Sequence, residues 1–74
     1  MIYYEKEYDG ILLYITNDPE SAKFTFKEIS MNLVQVSTVV GDKWASLLVS
    51  LEATHDHEFM KHIAKQLKKM AQNA

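Results

Sequence analysis

The stretch YEKEYDGILLYI, residues 4–15, holds Asp9-Gly10 between two runs of aromatic and aliphatic residues. An Asp-Gly pair in that setting indicates a β-hairpin, because a type I′ turn needs positive φ at both central residues. We therefore expect strands at residues 2–8 and 11–17, with Tyr8 opposite Ile11. Side-chain alternation then gives the hairpin a core face and an amphipathic face. The core face carries Ile2, Tyr4, Tyr8, Ile11, Leu13 and Ile15, and the amphipathic face carries Tyr3, Glu5, Glu7, Leu12, Tyr14 and Thr16.

A second pair of β-rich runs, residues 33–40 and 43–51, flanks Gly41-Asp42. Glycine at the first loop position suits a type II′ turn, which places Val40 opposite Lys43. One face is predicted to be core and consists of Val34, Val36, Thr38, Val40, Ala45, Leu47, Val49 and Leu51. The opposite face is half apolar and consists of Leu33, Gln35, Ser37, Val39, Trp44, Ser46, Leu48 and Ser50.

The C-terminal segment has the pattern of an amphipathic helix. Thr54 is the expected N-cap, and acids near the start with lysines near the end agree with the helix dipole. The apolar positions repeat with a helical period and predict a stripe that covers one face of the sheet. The stripe is Phe59, Ile63, Leu67 and Met70, flanked by Met60, Ala64 and Ala71.

Residues 18–30 fit two structures. Asp18-Pro19-Glu20 is a good helix start, and Ala22, Phe26 and Ile29 keep a helical period. The same segment also alternates as a strand through Ala22, Phe24 and Phe26. A helix gives the order ββαββα, a permuted ferredoxin-like sandwich, and a strand gives a five-stranded meander. Either way the fold class is α+β, a single domain over residues 1–74 with an antiparallel sheet of four or five strands under the C-terminal helix.

Composition excludes several classes of function. The chain has 74 residues, a net charge of −2 and no cysteine, so disulfides and thiolate zinc sites are ruled out. All eight positive charges are lysines, and the absence of arginine with an acidic balance argues against nucleic-acid binding. No apolar run approaches the length of about 18 residues that suggests a membrane span. Acids near the N-terminus do not fit a signal peptide, and we expect a cytoplasmic protein.

Three histidines near the start of the last helix raise the question of a metal site. On a helix, His55, Glu58 and His62 would share one flank, and two imidazoles with a carboxylate can bind zinc, nickel or copper. The spacing matches no known metal motif, and lysines on the same flank would repel a cation. We therefore expect solvated side chains there, with no metal and no cofactor. The sequence contains no recognisable nucleophile–base motif and no glycine-rich phosphate loop, so we expect that the protein is not an enzyme.

The half-apolar face around Trp44 is the strongest functional candidate. It is either a second core layer or a surface that binds another chain, since tryptophan is enriched in interface hot spots. The candidate partner-binding residues are Trp44, Leu48, Val39, Leu33, Tyr3, Tyr14 and Leu12. We expect a non-enzymatic protein-interaction module, either a homodimer or an accessory or inhibitory subunit on a partner protein. Arginine-free, lysine-rich usage suits a phage or mobile-element gene. The alternative is a regulatory domain that senses a metal or small ligand.

Overall fold

The computed structural model describes residues 3–16 and 33–74 of the chain. Its elements in order are four strands, a short 3₁₀ helix and one α-helix. They are β1 (Tyr3–Tyr8), β2 (Ile11–Thr16), β3 (Leu33–Val40), β4 (Lys43–Ser50), the 3₁₀ helix (Glu52–His55) and α1 (His57–Gln72). The α+β class, with one antiparallel sheet and a C-terminal helix packed on it, is confirmed.

Both hairpin turns have the backbone conformation that the sequence predicts. Asp9 and Gly10 have φ of 52° and 79°, the two positive values of a type I′ turn. Gly41 has φ of 65°, as the first loop position of a type II′ turn requires. The resulting registers, Tyr8 opposite Ile11 and Val40 opposite Lys43, are those expected.

The four described strands lie in the sheet in chain order. β2 and β3 are antiparallel neighbours, with Tyr14 opposite Ser37 and Thr16 opposite Gln35. The permuted ferredoxin-like arrangement is not confirmed, because that fold separates the two strands that flank a helix by a third strand. Whether residues 18–30 form a helix or a strand lies outside the described residues, as does Ile2.

The helix α1 lies mainly over β3 and β4 and closes the core on one face of the sheet. We call this face the near face. Its core residues are fully or almost fully buried. They are Tyr8, Leu13, Ile15, Val34, Val36, Ala45 and Val49 from the sheet, and Met60, Ile63, Ala64, Leu67 and Ala71 from the helix.

The predicted helix stripe is rotated from its expected position. Phe59 and Met70, expected at its centre, are 36% and 43% exposed. Ala64 and Ala71, expected at its flank, are fully buried. The physical reason is that small side chains let the helix approach the sheet closely, so the two alanines face the strands.

Two strand residues expected in the core are exposed for a different reason. Tyr4 is 43% exposed because β1 is an outer strand of the four described strands and lies away from most of α1. Leu51 is 38% exposed because the chain has left β4 and turns into the 3₁₀ helix at that point.

The helix also begins two residues later than expected. The N-cap is Asp56, whose Oδ1 accepts a hydrogen bond of 3.1 Å from the Phe59 backbone N–H. Thr54 is instead buried in the 3₁₀ helix, where its hydroxyl donates to the Leu51 carbonyl at 2.6 Å. The prediction of Thr54 as N-cap was therefore wrong, because the intervening 3₁₀ turn uses its hydroxyl.

The rotated stripe predicts unequal effects of two neighbouring substitutions. Leu67→Ala removes a fully buried side chain and should cost about 2–5 kcal/mol of unfolding free energy. That is comparable to the ~3–5 kcal/mol that such a small core supplies, so the variant should be largely unfolded. Met70→Ala, the control, should cost about 0.5 kcal/mol or less because Met70 lies at the surface. Urea unfolding followed by circular dichroism measures both. Equal losses would contradict the orientation of α1.

Candidate functional site

The sheet face turned away from α1 carries the residues that the sequence singled out. We call it the far face. Strand alternation places the candidates on it, since their neighbours along each strand point into the core. The pairing joins Glu7 to Leu12 and Val39 to Trp44 near the two hairpin turns, and Gln35 to Leu48 at the other end.

Trp44 is the most exposed apolar side chain among the described residues of this face. It is 55% exposed, and its ring contacts that of Tyr14, with the centroids 5.4 Å apart and the planes at 50°. The contact spans β3, where the small Ser37 lies opposite both Tyr14 and Ser46. The two serine hydroxyls hydrogen-bond each other at 2.8 Å. These small, mutually satisfied side chains leave space for the indole to lean across β3 toward β2.

The six predicted binding residues whose side chains the structure describes lie in two separate parts of the far face. Leu12, Tyr14, Val39 and Trp44 come together near the hairpin turns, and we call them the Trp44 cluster. Leu12 is 37% exposed, and Tyr14 and Val39 are partly buried. Leu33 and Leu48, also partly buried, lie toward the opposite end of the sheet. Tyr3 begins β1, but its side chain lies outside what the structure describes.

The opposite end of the far face is polar and buried. Thr16 and Gln35 lie opposite each other and are 8% and 7% exposed. Within the described part of the chain, the Gln35 Oε1 atom has no hydrogen-bond partner. A buried carbonyl oxygen without a partner lowers the free energy of unfolding by about 1–3 kcal/mol. The amphipathic pattern alone did not predict that Gln35 would be buried. Among the described residues of the far face, the exposed large apolar side chains are Leu12 and Trp44, both in the Trp44 cluster beside the turns.

A cleft between β2 and β3 is a feature that the sequence analysis missed. The β2–β3 pairing ends at Tyr14 and Ser37, and beyond it the Thr38 hydroxyl donates to the Leu12 carbonyl at 2.9 Å. The cleft has a volume of about 370 Å³. Its described lining is Gly10, Ile11, Leu12, Tyr14, Thr38, Val39, Val40 and Lys68. The available signal was Thr38, a hydroxyl in a row of core-facing valines.

The histidine-rich stretch does not form the flank that a continuous helix predicts. His55 ends the 3₁₀ helix, whereas Glu58 and His62 belong to α1. Over residues 3–16 and 33–74, no three histidine or acidic side chains lie close enough to hold a metal ion. His57, the first residue of α1, places its ring 5.4 Å from that of the buried Tyr8. This part of the chain thus packs the start of α1 against the first hairpin.

The lysines of α1 interact with the first hairpin. Asp9 Oδ2 lies 3.7 Å from Lys61 Nζ and 3.6 Å from Lys65 Nζ. Lys61 also lies 3.9 Å from Glu58. Such exposed pairs contribute about 0–1 kcal/mol each, so they orient the hairpin more than they stabilise it.

Comparisons with known proteins give no information on function. No protein-family model, curated protein or solved structure matches the chain. In the part of the chain that the structure describes, no helix combines the length and apolarity needed to cross a membrane.

The exposure of Trp44 can be measured directly, because it is the single tryptophan of the chain. We expect a red-shifted emission, and acrylamide should quench it nearly as well in the folded protein as in the chain unfolded in urea. The reason is that the indole contacts Tyr14 and 55% of the Trp44 surface is open to solvent. A blue-shifted emission that resists acrylamide would place Trp44 in a core instead.

Proposed function

We propose that the protein is a non-enzymatic module that acts by binding another protein through the Trp44 cluster. The observation that carries the proposal is an indole that is 55% exposed and held against Tyr14 on the face away from the core. Tryptophan and tyrosine are enriched among the residues that dominate binding energy at protein interfaces. Because Trp44 is exposed in the free protein, its burial against a partner would contribute favourable binding free energy.

The Trp44 cluster is preorganised for binding. The contact with Tyr14 and the strand backbone restrict the indole before a partner arrives. Ordering a mobile side chain on binding costs about 0.5–1.5 kcal/mol, and a side chain that is already held avoids part of that cost. Glu5 and Glu7, exposed on the far face of β1, supply a charged rim beside the apolar cluster. An apolar centre with a polar rim is the usual anatomy of an interface.

Binding explains the polar groups near Trp44 better than catalysis does. Ser37 and Ser46 hydrogen-bond each other, whereas a serine nucleophile needs an adjacent base. Glu5 and Glu7 are exposed on β1, and acid–base chemistry needs a carboxylate held against its substrate.

The binding takes one of two forms in this proposal. The protein is an accessory or inhibitory subunit on a larger partner in the cytoplasm, or it pairs with a second copy. A gene of a phage or mobile element is consistent with arginine-free, lysine-rich usage. β4 is an outer strand among the four described strands. This supports pairing with a second copy, because unpaired backbone groups on an edge strand can pair with another strand.

Trp44→Ala, compared with Phe59→Ala, tests the proposal. Phe59 is an aromatic residue on α1 that is 36% exposed and lies outside the Trp44 cluster, which makes it a matched control. Sedimentation velocity over a concentration series measures self-association. A pull-down from the source cell, followed by re-binding of the purified partner, measures the other form.

We expect Trp44→Ala to weaken binding by about 2 kcal/mol or more, roughly 30-fold in Kd, and Phe59→Ala to leave it unchanged. Loss of the Tyr14 contact should cost only about 0.5–1.5 kcal/mol of stability, so the variant should stay folded. Equal binding by wild type and Trp44→Ala would refute the proposal, as would unfolding of the variant.

A further inference from the structure

The cleft between β2 and β3 points to a second binding function, for a small molecule, at a site that shares Leu12, Tyr14 and Val39 with the Trp44 cluster. We propose that it binds a small amphiphilic carboxylate, with the apolar body between the two strands and the carboxylate on the Lys68 ammonium. This proposal goes beyond the Trp44 interface and does not depend on it.

The cleft exists because the two hairpins separate near their turns. Each hairpin keeps its own pairing up to the loop, with Tyr8 opposite Ile11 and Val40 opposite Lys43. Between the hairpins the pairing stops at Tyr14, and the Leu12 carbonyl is satisfied by the side chain of Thr38. A side-chain hydroxyl reaches further than a backbone N–H, so this hydrogen bond holds the strands together while leaving space between them.

The walls of the cleft favour an apolar ligand. Ile11, Val39 and Val40 are partly buried, and Leu12 is 37% exposed. Gly10 adds no side chain at the turn, and a methyl group added to its α-carbon would meet nothing within 4 Å. The volume of about 370 Å³ lies in the range of small-molecule sites, which span about 300–1,000 Å³ and are mostly apolar with a few polar groups.

Lys68 determines the charge of the ligand. Its neighbours along α1, Lys61 and Lys65, pair with Asp9. Lys68 lines the cleft, and among residues 3–16 and 33–74 no carboxylate lies within ion-pair distance of it. An ammonium with no carboxylate partner among the described residues, beside apolar walls, selects a ligand with an anionic head and an apolar tail. Lysine suits a carboxylate as a point charge and does not require bidentate geometry.

Octanoate is the probe that tests this site, and octanol, which has the same chain length and no charge, is the control ligand. Both are titrated below the concentration at which octanoate forms micelles, and amide chemical shifts are followed by NMR. We expect saturable shifts at Leu12, Thr38 and Val39, with octanoate binding more tightly than octanol. Tyr14 lines the cleft and contacts Trp44, so the tryptophan emission should change with the same midpoint.

Two lysine variants separate the proposed contact from general attraction to a basic helix. Lys68→Gln should weaken octanoate binding about fivefold, the upper range for an exposed ion pair, and leave octanol binding unchanged. Lys69→Gln, the control, should change neither, because Lys69 is exposed and absent from the described lining. Absence of saturable shifts would overturn the site. Equal effects of the two variants, or equal affinities for octanoate and octanol, would overturn its assignment to a carboxylate.

Discussion

Positive φ at three loop residues, Asp9, Gly10 and Gly41, is the constraint on which the other placements depend. It sets two tight turns, and each turn sets the register of a hairpin. A slip of one residue would move every side chain of a strand to the other face of the sheet. The turns therefore decide that Leu13 and Val36 are buried under α1 and that Trp44 lies on the opposite face. The turns therefore determine which side chains lie on the far face, just as they determine which lie in the core.

The core on the near face depends on how closely α1 approaches the sheet. Ala64 and Ala71 face the strands, and Met60 and Leu67 fill the space around them. The Lys43 side chain donates to the Ala74 carbonyl, which joins the start of β4 to the end of the helical segment. Asp9 is joined to α1 by two lysines at the turn of the first hairpin. The buried residues of α1 hold the helix on the near face, and these exposed contacts at both hairpins are consistent with that placement.

The sequence predicted the features that local chemistry determines. Asp-Gly and Gly-Asp specify their turns through backbone sterics, and alternation then assigns faces without any knowledge of the tertiary structure. The predicted position of the helix stripe was wrong. Phe59 and Met70 are hydrophobic enough for a core, but the small residues Ala64 and Ala71 are the ones that pack against the sheet. Hydrophobicity indicates how unfavourable it is to expose a side chain. It does not indicate how closely a helix packs against a sheet.

The candidate site shows the same division between local and tertiary information. Its residues were predictable from alternation, but their grouping was not. Leu12 and Val39 belong to different hairpins, and whether they meet depends on the β2–β3 pairing, which no turn specifies. That pairing stops at Tyr14 and Ser37, so the end near the turns opens into a cleft.

The cleft and the Trp44 cluster are joined through Tyr14. Tyr14 lines the cleft, and its ring contacts that of Trp44. Leu12 and Val39 are shared in the same way, since they form walls of the cleft and belong to the cluster. A molecule that fills the cleft therefore contacts three of the four residues proposed to meet a partner. Any ligand that holds these side chains in a different arrangement when bound must change the affinity for the partner, and by linkage the partner must change the affinity for the ligand by the same factor.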